Sequence, residues 1–264
     1  MRRGLLVGAG VAVALAVGTP ARAQSPASVP AGAAPFAWID DASLLPPGVV
    51  AVSVAVLRWQ GSDLSEVNAP IVGVAAGWTQ RVQISASIPH VVGDDVSGVV
   101  GGLGTTYISA KIGIVTDEPS GLKVAVAPTL EVLGSGSLQS LAAGASRMQL
   151  GLPISVEVDR GTARVFGSAG YFTPGVWFAG GGIGAQATPR VAVSAAFSRA
   201  WTTDVIGGPI GDRREISGGV AFSPRRDLSF FGSIGRTIAT SDHDGAGATF
   251  TGGVLFLLSS STFK

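Results

Sequence analysis

The sequence predicts an all-β protein, a transmembrane antiparallel up-and-down β-barrel of about 12 strands. Three observations predict it. Apolar and small or polar residues alternate with period two in segment after segment, the links between segments are alternately short and long, and aromatic residues gather near segment ends.

Composition narrows the class first. The 264 residues include 39 Gly and 15 Pro, no Cys, and only 13% charged residues, with a mean hydropathy of +0.45. So apolar a chain is not intrinsically disordered. The lack of cysteine excludes disulfide scaffolds, thiolate metal sites and cysteine nucleophiles, and a net charge of +1 gives no basic excess for nucleic acid.

Arg2 and Arg3 precede an apolar run from Gly4 to Val17 and an Ala21-Arg22-Ala23 cleavage pattern. Residues 1–23 therefore read as a signal peptide for export, with Gln24 as the mature N-terminus. Residues 24–48 hold Pro26, Pro30, Pro35, Pro46 and Pro47 and read as an extended periplasmic lead-in. The barrel is expected over 49–258, followed by a C-terminal tail at 259–264.

Val191–Trp201 shows the strand pattern. Val191, Val193, Ala195, Phe197 and Trp201 fall on one face, and Ala192, Ser194, Ala196, Ser198 and Ala200 on the other. Extending this reading gives strands near 49–59, 70–78, 81–90, 104–115, 122–133, 146–158, 162–172, 176–186, 191–202, 213–223, 228–238 and 248–258. Each is about ten residues, the length that crosses an outer membrane when tilted. Turn formers such as Thr79-Gln80 and Asp159-Arg160-Gly161 make the short links, and the longer links lie at 60–68, 91–103, 134–145, 203–212 and 239–247. The link at 173–175 alone is short where a long one is expected.

With both termini on the periplasmic side, Trp59, Tyr107, Tyr171, Phe172, Trp177, Trp201 and Phe250 fall at outer strand ends, and Trp78, Phe222 and Phe230 at inner ends. They are expected to form two interfacial girdles.

Asp40-Asp41-Ala-Ser-Leu-Leu-Pro-Pro-Gly-Val-Val before the first strand, and Gly101-Gly-Leu-Gly-Thr-Thr-Tyr-Ile-Ser-Ala-Lys111, resemble segments of the "MetA pathway of phenol degradation"-like putative outer-membrane transporter family. Thr105 stands where that family usually has Asp. The resemblance implies a barrel that passes hydrophobic or aromatic compounds.

Catalytic and cofactor motifs are weak. Gly182-Ile-Gly184-Ala-Gln-Ala187 is followed by Thr188-Pro189-Arg190 where a dinucleotide fold needs a helix. Asp242-His243-Asp244-Gly245 reads as a solvated loop tip. His90 and Ser87 have opposite parity on one strand and cannot meet across it. No enzyme activity, cofactor or metal is therefore expected.

Parity assigns Lys111, Lys123, Glu131, Arg147, Glu157, Arg164 and Glu215 to the lumen, where opposed charges would set a transverse field. It turns Met148, Leu150, Ile154, Val126 and Phe197 toward lipid. The outer links carry Asp63, Glu66, Asp94, Asp95, Asp204, Asp212, Asp242 and Asp244 with no Lys or Arg, so weak cation preference is expected. Arg58, Arg199 and Arg236 have outward parity near outer strand ends, where guanidinium groups can meet lipopolysaccharide phosphates. The expectation is a bacterial outer-membrane barrel, in contact with outer-membrane lipids and lipopolysaccharide, that passes small solutes, hydrophobic or aromatic ones among them. The alternative is a non-conducting structural or surface-interaction barrel.

Overall fold

The computed structural model describes residues 40–61, 65–93, 101–117, 119–136, 146–173, 175–203, 211–241 and 246–259. Among the described residues fifteen β-segments make up the sheet. In chain order they are β1 (Val49–Gly61), β2 (Ser65–Gly77), β3 (Val82–Val92), β4 (Gly102–Leu103), β5 (Thr106–Asp117), β6 (Leu122–Val126), β7 (Thr129–Val132), β8 (Met148–Gly151), β9 (Ile154–Asp159), β10 (Ala163–Phe172), β11 (Val176–Thr188), β12 (Val191–Thr202), β13 (Asp212–Arg225), β14 (Leu228–Thr240) and β15 (Gly247–Ser259).

Every strand-to-strand pairing is antiparallel, and β1 pairs with β15 from Val49↔Ser259 to Gly61↔Gly247 without a slip. That pairing closes the sheet into a barrel and leaves no free edge among the described strands. Three staves are interrupted, between β4 and β5, β6 and β7, and β8 and β9, so fifteen segments make 12 staves. Pro128 and Pro153 sit in two of the interruptions because proline has no N–H to give the ladder. Their carbonyls still accept, from Ala110 N at 3.1 Å and Ala127 N at 2.9 Å, and the in-out alternation carries across both proline-marked breaks.

The strands follow the periodicity of the sequence, with one boundary displaced. β2 begins at Ser65, five residues before the expected 70. Pro70 signals a strand start in the sequence, but a register shift between Asn68 and Ile71 absorbs it within the strand. The link at 60–68 thereby shrinks to 62–64, which lie outside the described residues.

The barrel is inside-out relative to a soluble core. Leu150 is 63% exposed, Val165 59% and Ile183 58%, whereas Ala51, Ser155 and Glu157 are at most 2% exposed. Large apolar side chains cover the outside because the surrounding medium is apolar, and small or hydrogen-bonded side chains fit the narrow interior. Met148, Leu150, Ile154 and Phe197 stand exposed on this outer wall, and Val126 joins it as the partner of Ile154. Arginine at Ile154, near the middle of its stave, is expected to lower stability in a bilayer by about 2–4 kcal/mol. Denaturant unfolding in phospholipid vesicles measures this, and an unchanged midpoint would contradict a lipid-facing position.

The girdle needs correction at three positions, Trp59, Tyr107 and Phe172. Trp59 points inward, with its ring against Gly61 and Gly247, because it shares parity with Ala51 and Ala55. Tyr107 also points inward, its hydroxyl donating to Glu131 Oε1 at 3.1 Å, and Phe172 is a third inward aromatic, 4% exposed. Strand parity, not position along the strand, sets the direction of all three. On the outer wall Tyr171 pairs with Trp177, ring centroids 5.0 Å apart, and Trp177 pairs with Trp201. Phe250 lies outward near this loop end, while Phe222 and Phe230 pair near the end that carries the termini, where Trp78 stands exposed on the β2–β3 turn.

Candidate functional site in the barrel lumen

The lumen has two chemically different walls. On one side Ala51 and Ala55 of β1, Ile71 and Ala75 of β2, Phe231 of β14 and Leu255 of β15 form a buried apolar cluster, joined by Leu45, Leu57, Ala221 and Leu257. They meet because their four strands are neighbours around the closure and each contributes its inward parity.

The facing wall, on β5, β6, β9 and β10, is charged. Lys111, Lys123, Glu157, Asp159 and Arg164 project from it near the end that carries the termini. They hold the segment Asp40–Pro47, which enters the barrel before β1 begins. Lys111 Nζ forms an ion pair with Asp40 and donates to the carbonyls of Asp41 at 3.0 Å and Ser43 at 3.4 Å. Arg164 Nη1 donates to Asp41 Oδ2 at 2.6 Å. Ser43 Oγ accepts from Lys123 Nζ at 2.9 Å and donates to Glu157 Oε2 at 2.8 Å, and Lys123 also meets Glu157 Oε1 at 3.3 Å. Backbone contacts complete the dock, with Asp40 N donating to Ser168 Oγ at 3.2 Å and Leu45 N to Gln83 Oε1 at 2.8 Å.

Glycine makes room for the segment. A Cβ on Gly77 would lie 2.1 Å from the Pro46 carbonyl oxygen, and one on Gly113 2.9 Å from Leu44 Cδ1. Each close approach needs a residue without a side chain. Leu45 then packs against the apolar cluster, so the lead-in touches both walls.

Toward the loop end, Glu131 is buried beneath Tyr107, and Glu215, 1% exposed, accepts from Arg213 Nη2 at 3.3 Å. Glu66 shares the inward side as the partner of Trp59. Among the described residues the lumen thus carries Lys111, Lys123, Arg164 and Arg213 against Asp40, Asp41, Glu66, Glu131, Glu157, Asp159 and Glu215, a balance of 4 − 7 = −3.

Six of the seven residues assigned inward by sequence parity line this interior: Lys111, Lys123, Glu131, Glu157, Arg164 and Glu215. Arg147 does not. It is exposed at the rim just before β8 begins, beyond the reach of strand parity. Asp40, Asp41 and Ser43 are site residues that sequence reasoning missed, although the lead-in motif that contains them was singled out.

Of the expected outer-link acids, Glu66 lies in β2 and Asp212 in β13. Asp212 is no free mouth charge, since it accepts from Arg199 Nε and Nη2 at 3.0 Å each and from Arg214 Nη2 at 3.3 Å. Asp63, Asp94, Asp95, Asp204, Asp242 and Asp244 lie outside the described residues, as does His243. Arg58, Arg199 and Arg236 are exposed on the outer wall. Arg58 donates to Gln60 Oε1 at 2.7 Å, and the Arg199 guanidinium lies 5.0 Å over the Trp201 ring.

No protein-family model matches the sequence, and no curated protein matches it. Solved structures do match in fold. An outer membrane channel from Pseudomonas putida F1 superposes with a TM-score of 0.64 at 12% identity, covering 83% of this chain and 98% of the channel. The NanC porin gives 0.59 at 10% identity over 78% of this chain and 98% of the porin. The KdgM porin gives 0.53 at 8% identity over 77% and 98%. The chain has the fold of a closed 12-strand transmembrane barrel.

Proposed function

We propose that this chain is an outer-membrane channel for small amphiphilic solutes, hydrophobic or aromatic compounds that carry a polar group, with the lead-in as its narrowing element. The observation that carries the reading is the divided lumen, Phe231, Leu255, Ile71 and Leu57 on one side and Lys111, Lys123, Arg164 and their acids on the other. An amphiphilic solute can keep its apolar body against the first wall and its polar group near the second. The structural neighbours include proteins described as a channel and as porins, which supports a conduit. On β3 the His90 side faces outward and the Ser87 side inward, which favours a conduit over a hydrolase.

In this reading residues 1–23 direct export, the ends of β1 and β15 face the periplasm, and the lead-in enters from there. The lumen balance of −3 favours cations over anions weakly. The second reading, a non-conducting barrel, draws on one observation, the docked and ion-paired segment at Asp40–Pro47. Uptake into proteoliposomes separates the two. Entry of a small aromatic amine or alcohol faster than a sugar of similar size is the expected result. Equal exclusion of both from vesicles that contain folded protein would favour the second reading.

A further inference from the structure

The outer wall of β11–β14 has a feature that solute passage does not use. Its outward residues form cross-strand rows. Nearest the loop end is Trp177–Trp201–Asp212, then Ala179–Arg199–Arg214–Ala239, then Gly181–Phe197–Ile216–Arg236, then Ile183–Ala195–Gly218–Ile234. Arg199, Arg214 and Arg236 therefore stand on three adjacent strands in two adjacent rows. Asp212 fixes the first two by the bonds described above, and Trp201 backs Arg199. Three bases and one acid leave this patch at 3 − 1 = +2.

Directly below lies an apolar groove of about 640 Å³ in the lipid-facing wall. Gly181, Ala195 and Gly218 form its floor, and Ile183, Phe197, Ile216 and Ile234 its sides, with Arg236 at its edge. Basic groups beneath an aromatic row and above an apolar groove match one chemistry, a phosphate at the membrane interface joined to an acyl chain that runs toward the membrane centre. Guanidinium groups bind phosphate oxygens through paired N–H donors, which ammonium groups cannot reproduce.

We propose that this wall holds one lipopolysaccharide molecule of the outer leaflet, its lipid A phosphate on Arg199, Arg214 and Arg236 and one acyl chain in the groove. Arg214, which the sequence did not single out, completes the site. Arg58 lies outside it, two strands from Arg236 with Phe250 between its row and Ile234. The proposal rests on the outer-membrane reading.

The test uses the full mature chain refolded into phosphatidylethanolamine bilayers containing purified lipopolysaccharide or, separately, phosphatidylglycerol, with bound lipid read by native mass spectrometry. The wild type is expected to retain one lipopolysaccharide. The Arg199→Ala/Arg214→Ala/Arg236→Ala variant should retain at least tenfold less. Gly218→Phe fills the groove with all charges kept, and a Cβ there meets nothing nearer than the Ser194 carbonyl oxygen at 3.7 Å. It should fold normally and bind several-fold less. Retention unchanged in both variants, or phosphatidylglycerol held as well as lipopolysaccharide, would overturn the site. A wild type that folds in the bilayer yet binds no lipopolysaccharide overturns the site and leaves the barrel reading intact. Failure to fold in either bilayer overturns both.

Discussion

Replacing Lys111 and Arg164 together by alanine is expected to release the lead-in from the lumen and raise single-channel conductance several-fold. The two cations are the main partners of Asp40 and Asp41. Lys111 and Asp41 side chains are 8% and 7% exposed, so the carboxylates left behind would be buried without counter-charge. Breaking a buried pair by removing one member costs about 3–5 kcal/mol, more than the few hydrogen bonds at Ser43 and Leu45 return at about 1 kcal/mol each. The segment should therefore leave the barrel while the strands, whose pairing is untouched, stay closed. Two readouts separate this from general damage. Conductance should rise, and a protease should cut the lead-in at sites protected in the wild type. Neutralising the two acids with Asp40→Asn/Asp41→Asn in the same background removes the buried-charge penalty and should return the lead-in part of the way to its protected, low-conductance position. A double variant with wild-type conductance and an uncut lead-in would show that Lys111 and Arg164 do not hold it.

Leu255→Asp is expected to cut the flux of aromatic solutes on the order of tenfold while changing potassium conductance little or raising it. Leu255 is 1% exposed, at the centre of the apolar wall. A carboxylate at this buried position would draw water into the apolar wall and cost an apolar solute about 1.5–3 kcal/mol of the burial it gains against that wall, and each 1.4 kcal/mol is about tenfold in an equilibrium constant. Among the described residues Lys111, Lys123 and Arg164 stand on the other wall and Arg213 near the loop end, paired with Glu215, so a carboxylate there also lacks a neighbouring cation. Comparison with Leu255→Met, which keeps the apolar contact, isolates the chemistry from the change of shape. Equal loss of aromatic and ionic flux in Leu255→Asp would point to collapse of the lumen and count against an apolar path.

The barrel was legible in the sequence because its two faces meet different media. A strand with lipid on one side and a crowded lumen on the other must alternate, and Val191–Trp201 or Met148–Val158 does so residue by residue. Proline-marked breaks at Pro128 and Pro153 leave the parity intact, so the inward assignment of Lys123, Glu131 and Glu157 needed no knowledge of them. Trp59, Tyr107 and Phe172 lie near strand ends but follow the same parity inward, so nearness to an end does not place an aromatic in the girdle. Arg147 lies just beyond the strand, where alternation no longer constrains direction.

The contents of the lumen were much less legible. Asp41 and Lys111 are 70 residues apart in the chain and contact through the interior, and no local pattern encodes such a pair. A hint existed in the adjacent acids Asp40 and Asp41 within an otherwise uncharged segment from Gln24 to Leu57, since a lead-in kept in water has no need of so few and so concentrated charges. The outer-wall site was half legible. Parity gave Arg199 and Arg236, but their relation to Arg214 and to the groove depends on the register of β11 to β14, which pattern alone does not fix.

A barrel that passes solutes across a membrane must also carry ionic current. Planar-bilayer recording with purified, folded mature protein tests solute passage by this chain most directly. Steady unitary current steps are expected, with a weak cation preference in a salt gradient and larger steps once Lys111 and Arg164 are replaced. A bilayer that stays silent for both proteins, with folding verified by heat-modifiable migration, would contradict it.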